Sequence, residues 1–286
     1  MEIKMLTVGI TGLGLIGGSA AKAYKENGNA RVYGYDRDEK VLAAAINIGA
    51  LDGVLTKENI ASCDVILVAL YPMATYDYIL EIAPLLGEKN TVIDLCGVKG
   101  YLCERLFKVA REHGFLYVGG HPMAGKHVSG FYYSDAELFR NASMVIVPEN
   151  ENDADTVAKV TKLLEPLNFG NISVTTAKRH DEIIAFTSQL AHVVSNAYVK
   201  SPTAKVHKGF SAGSYKDLTR VAYLNETMWT ELFLCNKDAL TAEIDCIIEN
   251  LKEYSDAMKN NDADKLKKLL YDGKVAKEMI DGKKSV

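Results

Sequence analysis

The residues able to do chemistry fall into two sets, one suited to holding a nucleotide and one to moving a proton. The stretch Gly9-Ile10-Thr11-Gly12-Leu13-Gly14-Leu15-Ile16-Gly17-Gly18-Ser19 carries a GxGxxG pattern at Gly12, Gly14 and Gly17, after an apolar run and at the start of a helix-compatible segment. In that context the first glycine permits a tight turn, the second lets backbone N–H groups approach a pyrophosphate, and the third allows close packing of helix on strand. Leu13, Leu15 and Ile16 supply the intervening amides and the first helical turn. A second apolar run ends at Asp36, roughly 20 residues further on, where a carboxylate accepts from both ribose hydroxyls and repels a 2′-phosphate. The expected cofactor is NAD rather than NADP, with neighbouring Arg37 offsetting part of the repulsion.

The proton-moving candidate is His121, in Gly119-Gly120-His121-Pro122-Met123-Ala124-Gly125 after the apolar run Phe115 to Val118. Ligands of an open α/β sheet sit outside the carboxyl ends of its strands. Tyr71-Pro72-Met73 and Cys96-Gly97-Val98-Lys99 occupy equivalent places. A neutral imidazole can take a proton from an alcohol while hydride leaves the same carbon, which makes His121 a candidate general base for an NAD-dependent oxidation. An ordinary loop histidine is the other reading. Further on, Ser188, Gln189, His192, Ser195 and Asn196 recur at helical spacing on an otherwise apolar segment. Such a stripe faces either a ligand or a buried hydrogen-bond network. Arg220 either captures a substrate carboxylate or pairs with Asp217 one turn away.

Short β-rich runs at Leu6 to Ile10, Arg31 to Asp36, Asp64 to Leu70, Thr91 to Leu95, Phe115 to Val118, Ser143 to Val147 and Ile172 to Val174 alternate with helical stretches. This alternation predicts βαβ units and a largely parallel sheet, a Rossmann dinucleotide-binding domain over residues 1–175. From residue 176 to 286 strand signals vanish and an all-helical domain is expected. Its segment Asp181 to Tyr198 reads as a helix buried on nearly all sides, a second long helix is expected from Glu226 to Met258, and shorter helices follow Asp262. Asp281 to Val286 reads as a frayed tail. So apolar a helix in so small a domain would leave much hydrophobic surface open, which predicts a homodimer.

The 286 residues are 48% apolar and 24% charged, which excludes disordered and low-complexity classes. A net charge of −4 with scattered Lys and Arg offers no basic stripe, so nucleic acid is not an expected partner. Five cysteines without a CxxC pair read as reduced thiols rather than disulfides or a metal site. The glycine-rich turn follows the start too closely for a signal peptide, and no apolar stretch reaches membrane-spanning length, so a cytoplasmic protein with no membrane partner is expected.

Together, Gly12 to Ser19, His121 to Gly125, His180-Asp181, Ser188 to His192, Phe210 to Arg220 and Met228-Trp229 to Asn236 resemble the prephenate and arogenate dehydrogenases of tyrosine biosynthesis. The resemblance implies a Rossmann domain followed by a helical dimerisation domain, with the active site between them. It implies that His121 is the catalytic histidine, that His192 binds substrate and that Arg220 holds a substrate carboxylate. The implied reaction oxidises the ring alcohol of prephenate, with NAD taking hydride, and CO₂ loss aromatises the ring. Where the family usually reads D-x-G-S-V-K this chain has Asp94-Leu95-Cys96-Gly97-Val98-Lys99, so Gly97 replaces a serine. Lys126 and His127 stand where a small polar and an acidic residue are frequent, and Ala191 replaces a proline. With Lys126, His127, His192 and Arg220 around the site and Ser188 on the polar stripe, prephenate is expected over arogenate, whose ammonium asks for a carboxylate. A β-hydroxyacid or imine-type reductase and a non-catalytic NAD-binding protein share the architecture and remain as alternatives.

Overall fold

The structure, a computed structural model, describes residues 5–282; the last four residues of the expected tail lie outside them. The strands are β1 (Leu6–Thr11), β2 (Ala30–Tyr35), β3 (Gly53–Val54), β4 (Val65–Val68), β5 (Thr91–Asp94), β6 (Leu116–Pro122), β7 (Ser143–Val147) and β8 (Asn171–Val174). Helices α1 (Leu15–Asn27), α2 (Glu39–Asn47), α3 (Pro72–Ile82), α4 (Gly100–His113) and α5 (Ala154–Leu164) alternate with them. They form one sheet in the order β3-β2-β1-β4-β5-β6-β7-β8, whose first six strands follow the Rossmann order. All neighbours are parallel except β6 and β7.

The central strands are apolar on both faces because helices cover both. Val65, Ile66, Leu67 and Val68 of β4 are all fully buried, as an interior parallel strand requires. One apolar cluster joins the sheet to α1 and α5 through Ala20, Tyr24, Val160 and Leu164. The other joins the opposite face to α3 and α4 through Ile79, Ile82, Leu102 and Leu106. The two-residue β3 carries too little pattern to be legible in sequence, and Gly114, with φ of +78°, caps α4 in the left-handed conformation that only glycine adopts freely.

After β8 the chain is helical: α6 (Ala177–Ile184), a π segment (Ala185–Leu190), α7 (Ala191–Tyr198), α8 (Gly213–Thr219), α9 (Glu226–Cys235), α10 (Lys237–Lys259) and α11 (Ala263–Ile280). Three expectations are corrected here. The α6 to α7 helix is not buried all round, since Ile183 and Phe186 are 42% and 57% exposed. The long helix expected from Glu226 breaks at Asn236, whose side-chain amide donates to the Asp181 carbonyl and the Gln189 side chain. After Asp262, which caps it, α11 is one continuous helix of 18 residues rather than several short ones.

By compactness the described chain forms two units that divide after Lys237. In the first, α6 to α9 pack with the sheet and its helices: Asp181 bonds the start of α4, and the Glu231 carboxylate accepts from Met73 N–H at 2.6 Å at the start of α3. In the second, the Tyr254 hydroxyl of α10 donates to the Leu269 carbonyl of α11 at 3.1 Å. Among the described residues no helix is long and apolar enough to cross a membrane, and all five cysteines are free.

Within the first unit, Tyr24 is fully buried and its hydroxyl donates to the Leu163 carbonyl at 2.7 Å, pinning α1 to α5. Tyr24→Phe removes the donor and strands that carbonyl, so chemical denaturation should show a loss of about 1 to 3 kcal/mol.

Candidate active site

The glycine-rich turn is shaped by contact. Gly12 takes φ of +84°, and a Cβ there would lie 2.4 Å from the Ala69 carbonyl oxygen; at Gly17 a Cβ would lie 1.9 Å from the Gly12 carbonyl oxygen. Gly14 differs, with no atom within 4 Å of its Cβ position. That open space lies at the start of α1, where Gly14 is the N-cap and no side chain caps the first amides. Free N–H groups, the positive end of a helix and room for close backbone approach together make a phosphate cradle. Leu13 is fully buried in the core and contributes its N–H, which donates to Asp36 Oδ2 at 2.7 Å; Leu15 and Ile16 are half-buried in the first turn of α1. Asp36 Oδ1 accepts from Asp38 N–H at 2.9 Å, so each carboxylate oxygen keeps a lone pair for a ribose hydroxyl, and Arg37 is exposed beside it. These residues fit a dinucleotide.

His121 sits on a strand, not in a loop. β6 runs past the end of β5, pairing in parallel from Leu116 to Gly119 and then antiparallel with β7 from Gly119 to Pro122, with His121 opposite Val145. The apolar run ends at Val118 in sequence, but β7 supplies the backbone partners that let the strand continue through two glycines. A rigid strand therefore aims the imidazole.

Behind it lies a chain of hydrogen bonds. His121 Nδ1 is 2.9 Å from His180 Nε2, and His180 Nδ1 is 2.7 Å from Asp181 Oδ1. The Asp181 carboxylate also accepts the N–H groups of Lys99 and Gly100, at 2.8 and 2.7 Å, at the start of α4. A carboxylate only accepts, so His180 Nδ1 must donate to it. The neutral His180 then accepts at Nε2, and His121 must donate from Nδ1. That leaves His121 Nε2 with its lone pair free. Burial first, then the neighbouring His180 and the Lys99 ammonium, hold His121 well below the ordinary histidine range. Burial also lowers His180, although its bond to Asp181 pulls the other way. His121 is thus a neutral acceptor, and a Cβ at Gly97 would lie 3.7 Å from its Nε2, enough room for the serine the pattern usually has.

The polar stripe divides. Gln189 is buried and tied to Asn236, a closed network. His192 is half-buried, donates from Nδ1 to the Ser188 carbonyl at 2.9 Å and packs against Trp229 with ring centroids 3.9 Å apart and planes tilted by 32°. Burial lowers its proton affinity, the bond to Ser188 opposes this, and the nearby Arg220 guanidinium lowers it further, which places His192 and Arg220 within electrostatic reach of each other. Among the described residues no ion pair joins Arg220 to Asp217. Lys126 is drawn elsewhere, to the Tyr133 carbonyl at 3.0 Å and Asp135 at 3.3 Å. The structure thus gathers His121 with His180, and His192 with Ser188, Trp229 and Arg220; no hydrogen bond joins Lys126 to either group. His180 and Asp181 carry no role in the residue-based reading of the sequence, although an adjacent His-Asp pair at the foot of a polar stripe is a usable signal. Among the described residues no cluster of ligating side chains could hold a metal.

Comparison with known proteins agrees with this geometry. Residues 20–172 match the prephenate dehydrogenase nucleotide-binding domain, and residues 176–272 match the prephenate dehydrogenase dimerization domain. The chain is similar to a cyclohexadienyl dehydrogenase of Zymomonas mobilis, 31% identical over 91% of this chain and 90% of that one. It is 28% identical to a prephenate dehydrogenase of Bacillus subtilis, over 96% of this chain and 76% of the relative. A crystal structure of prephenate dehydrogenase from A. aeolicus in complex with hydroxyphenyl propionate and NAD⁺ superposes with a TM-score of 0.84 at 26% identity, covering 98% of this chain and all of that one. With both domains matched in order across most of its length, the chain belongs to the prephenate dehydrogenase family.

Proposed function

We propose that the protein is an NAD-dependent dehydrogenase that converts prephenate to 4-hydroxyphenylpyruvate and CO₂, a step of tyrosine biosynthesis. The observation that carries this reading is the ordered chain Asp181, His180, His121, which leaves one imidazole nitrogen as a free acceptor. NAD supplies the hydride acceptor, and the open amides at Gly14 with the Asp36 carboxylate are the groups that would hold it. His121 Nε2 takes the proton of the ring hydroxyl as hydride leaves the same carbon; the ring carboxylate departs as CO₂ and its bonding electrons complete the aromatic ring. The donor bond from His121 to His180, backed by Asp181, stabilises the positive charge that His121 gains.

Arg220 is assigned to a substrate carboxylate, and His192, oriented by Ser188 and Trp229, to a substrate hydrogen bond. Lys126, engaged with Asp135, is assigned no direct contact with the substrate. Two acidic residues that could have greeted an ammonium are occupied: Asp135 by Lys126 and Glu137 by Arg140. This favours prephenate over arogenate. A free base in an ordered relay favours catalysis over nucleotide binding alone. The exposed Ile183 and Phe186 on the face of α6 and the π segment, together with the dimerization-domain match, support a homodimer.

NADH formation from prephenate and from arogenate at matched concentrations tests the assignment. Prephenate should have the higher kcat/KM by about 5- to 150-fold, the equivalent of roughly 1 to 3 kcal/mol for one unpaired charge; a higher value with arogenate would reverse it. His121→Asn should lower kcat by roughly 10² to 10⁴-fold with NAD affinity retained. Because the unprotonated ring is the active form and its proton affinity is depressed, the native kcat/KM should hold below pH 6.5 and fall only in more acid solution. Arg220→Ala should act mainly by raising KM, since a carboxylate clamp holds ground state and transition state alike. Unchanged KM would return Arg220 to a surface role.

A further inference from the structure

Directly behind the strand that carries His121 lies a buried ion pair that the proton transfer does not consume. Lys99 follows the β5 turn and precedes α4, and it is fully buried. Its ammonium donates to the Asp94 carboxylate and, at 2.6 Å, to the carbonyl of Gly120, the residue before His121. Asp94 is held in turn by the Tyr117 hydroxyl at 2.7 Å and by Cys96 N–H at 2.9 Å. β6 gives up a side chain beside this lysine: a Cβ at Gly119 would lie 2.9 Å from Lys99 Cδ and 2.6 Å from Cys103 Sγ.

A buried ammonium is costly to desolvate, and a neutral donor could tie β5 to β6 without that cost. What a neutral donor cannot do is set a potential at the neighbouring ring. The charged and titratable groups around His121 are His180 and Asp181 from α6, Asp94 from β5, Lys99 and Cys96 from the following turn, Tyr117 from β6 and Cys103 from α4. Burial keeps the thiols and the phenol protonated, with Cys103 pushed up to about 12. Lys99 is the cation of this group, and it sits one peptide from His121.

We propose that Lys99 is a positioning residue for the proton acceptor: by gripping the Gly120 carbonyl and holding a positive charge behind β6, it fixes the His121 ring and disfavours its protonation between turnovers. This rests on the reading of His121 as the base. The depressed proton affinity of His121, to which Lys99 contributes, agrees with it.

The test is the pH profile of kcat/KM with prephenate and NAD for the native protein, Lys99→Met, Tyr117→Phe and the double variant Asp94→Asn with Lys99→Met. The acid fall should move to higher pH in Lys99→Met. At the pH where the native protein keeps half its plateau, the variant should keep about a tenth or less, since the active fraction changes tenfold per pH unit. Tyr117→Phe loosens the same cluster without changing charge and should leave the acid fall in place. If the stranded Asp94 prevents Lys99→Met from folding, the double variant, which buries no charge, must show the displacement in the same direction. An acid fall superimposed on the native one in a folded methionine variant, or one displaced equally by Tyr117→Phe, overturns the proposal and leaves Lys99 a tether. A native profile with no acid fall would instead remove His121 as the base, a separate failure.

Discussion

The Asp181 carboxylate, laid across the first amides of α4, is the contact on which the geometry of the site depends. The N–H groups at a helix start have no partner within the helix, and a carboxylate there satisfies two of them while meeting the positive end of the helix. Hydrogen bonds to a charged group contribute about 1.5 to 3 kcal/mol each, so the side chain has little freedom. From that fixed acceptor the rest follows by donor and acceptor logic: His180 must donate, His121 must donate to His180, and the outer nitrogen of His121 is left to accept. Asn236 secures the same residue from the other side through its carbonyl, at the cost of breaking the helix that α9 and α10 would otherwise form.

The second constraint is the change of direction at the sheet's seventh strand. An all-parallel sheet would end β6 level with β5, and His121 would hang in a loop. Antiparallel pairing with β7 extends the strand past the carboxyl edge, the place where α/β sheets bind ligands. Catalytic groups on strands are held more closely than groups on loops. The glycines before His121 are part of the same arrangement, because Gly119 leaves room for the Lys99 side chain and Gly120 for close approach of the β5 backbone.

Beneath β6 lies a compensated buried pair, Lys99 with Asp94; breaking such a pair typically costs about 3 to 5 kcal/mol. Burial lowers the proton affinity of two imidazoles, His121 and His192. The Arg220 guanidinium adds to the depression at His192, and the acidic side chains Asp135 and Glu137 are bound to cations of their own.

The sequence alone determined much of this because the relevant physics is local. A GxGxxG turn between an apolar run and a helix needs only neighbouring residues to be read, and so does the alternation of strand and helix; both stand in the structure as expected. His121 stands out as a candidate from its place after an apolar run, and His192 and Arg220 as candidates from spacing and resemblance; their roles belong to the proposed function. Tertiary structure decided what depends on distant partners. The break at Asn236 goes with its bonds to Asp181 and Gln189, which no helical periodicity encodes, and the π segment is equally invisible to that periodicity. Whether Gln189 faced a ligand or a network was settled by Asn236, 47 residues away. The role of His180 required three elements, β6, α6 and the start of α4, to meet within hydrogen-bonding distance, and a tautomer is fixed only where its neighbours are known.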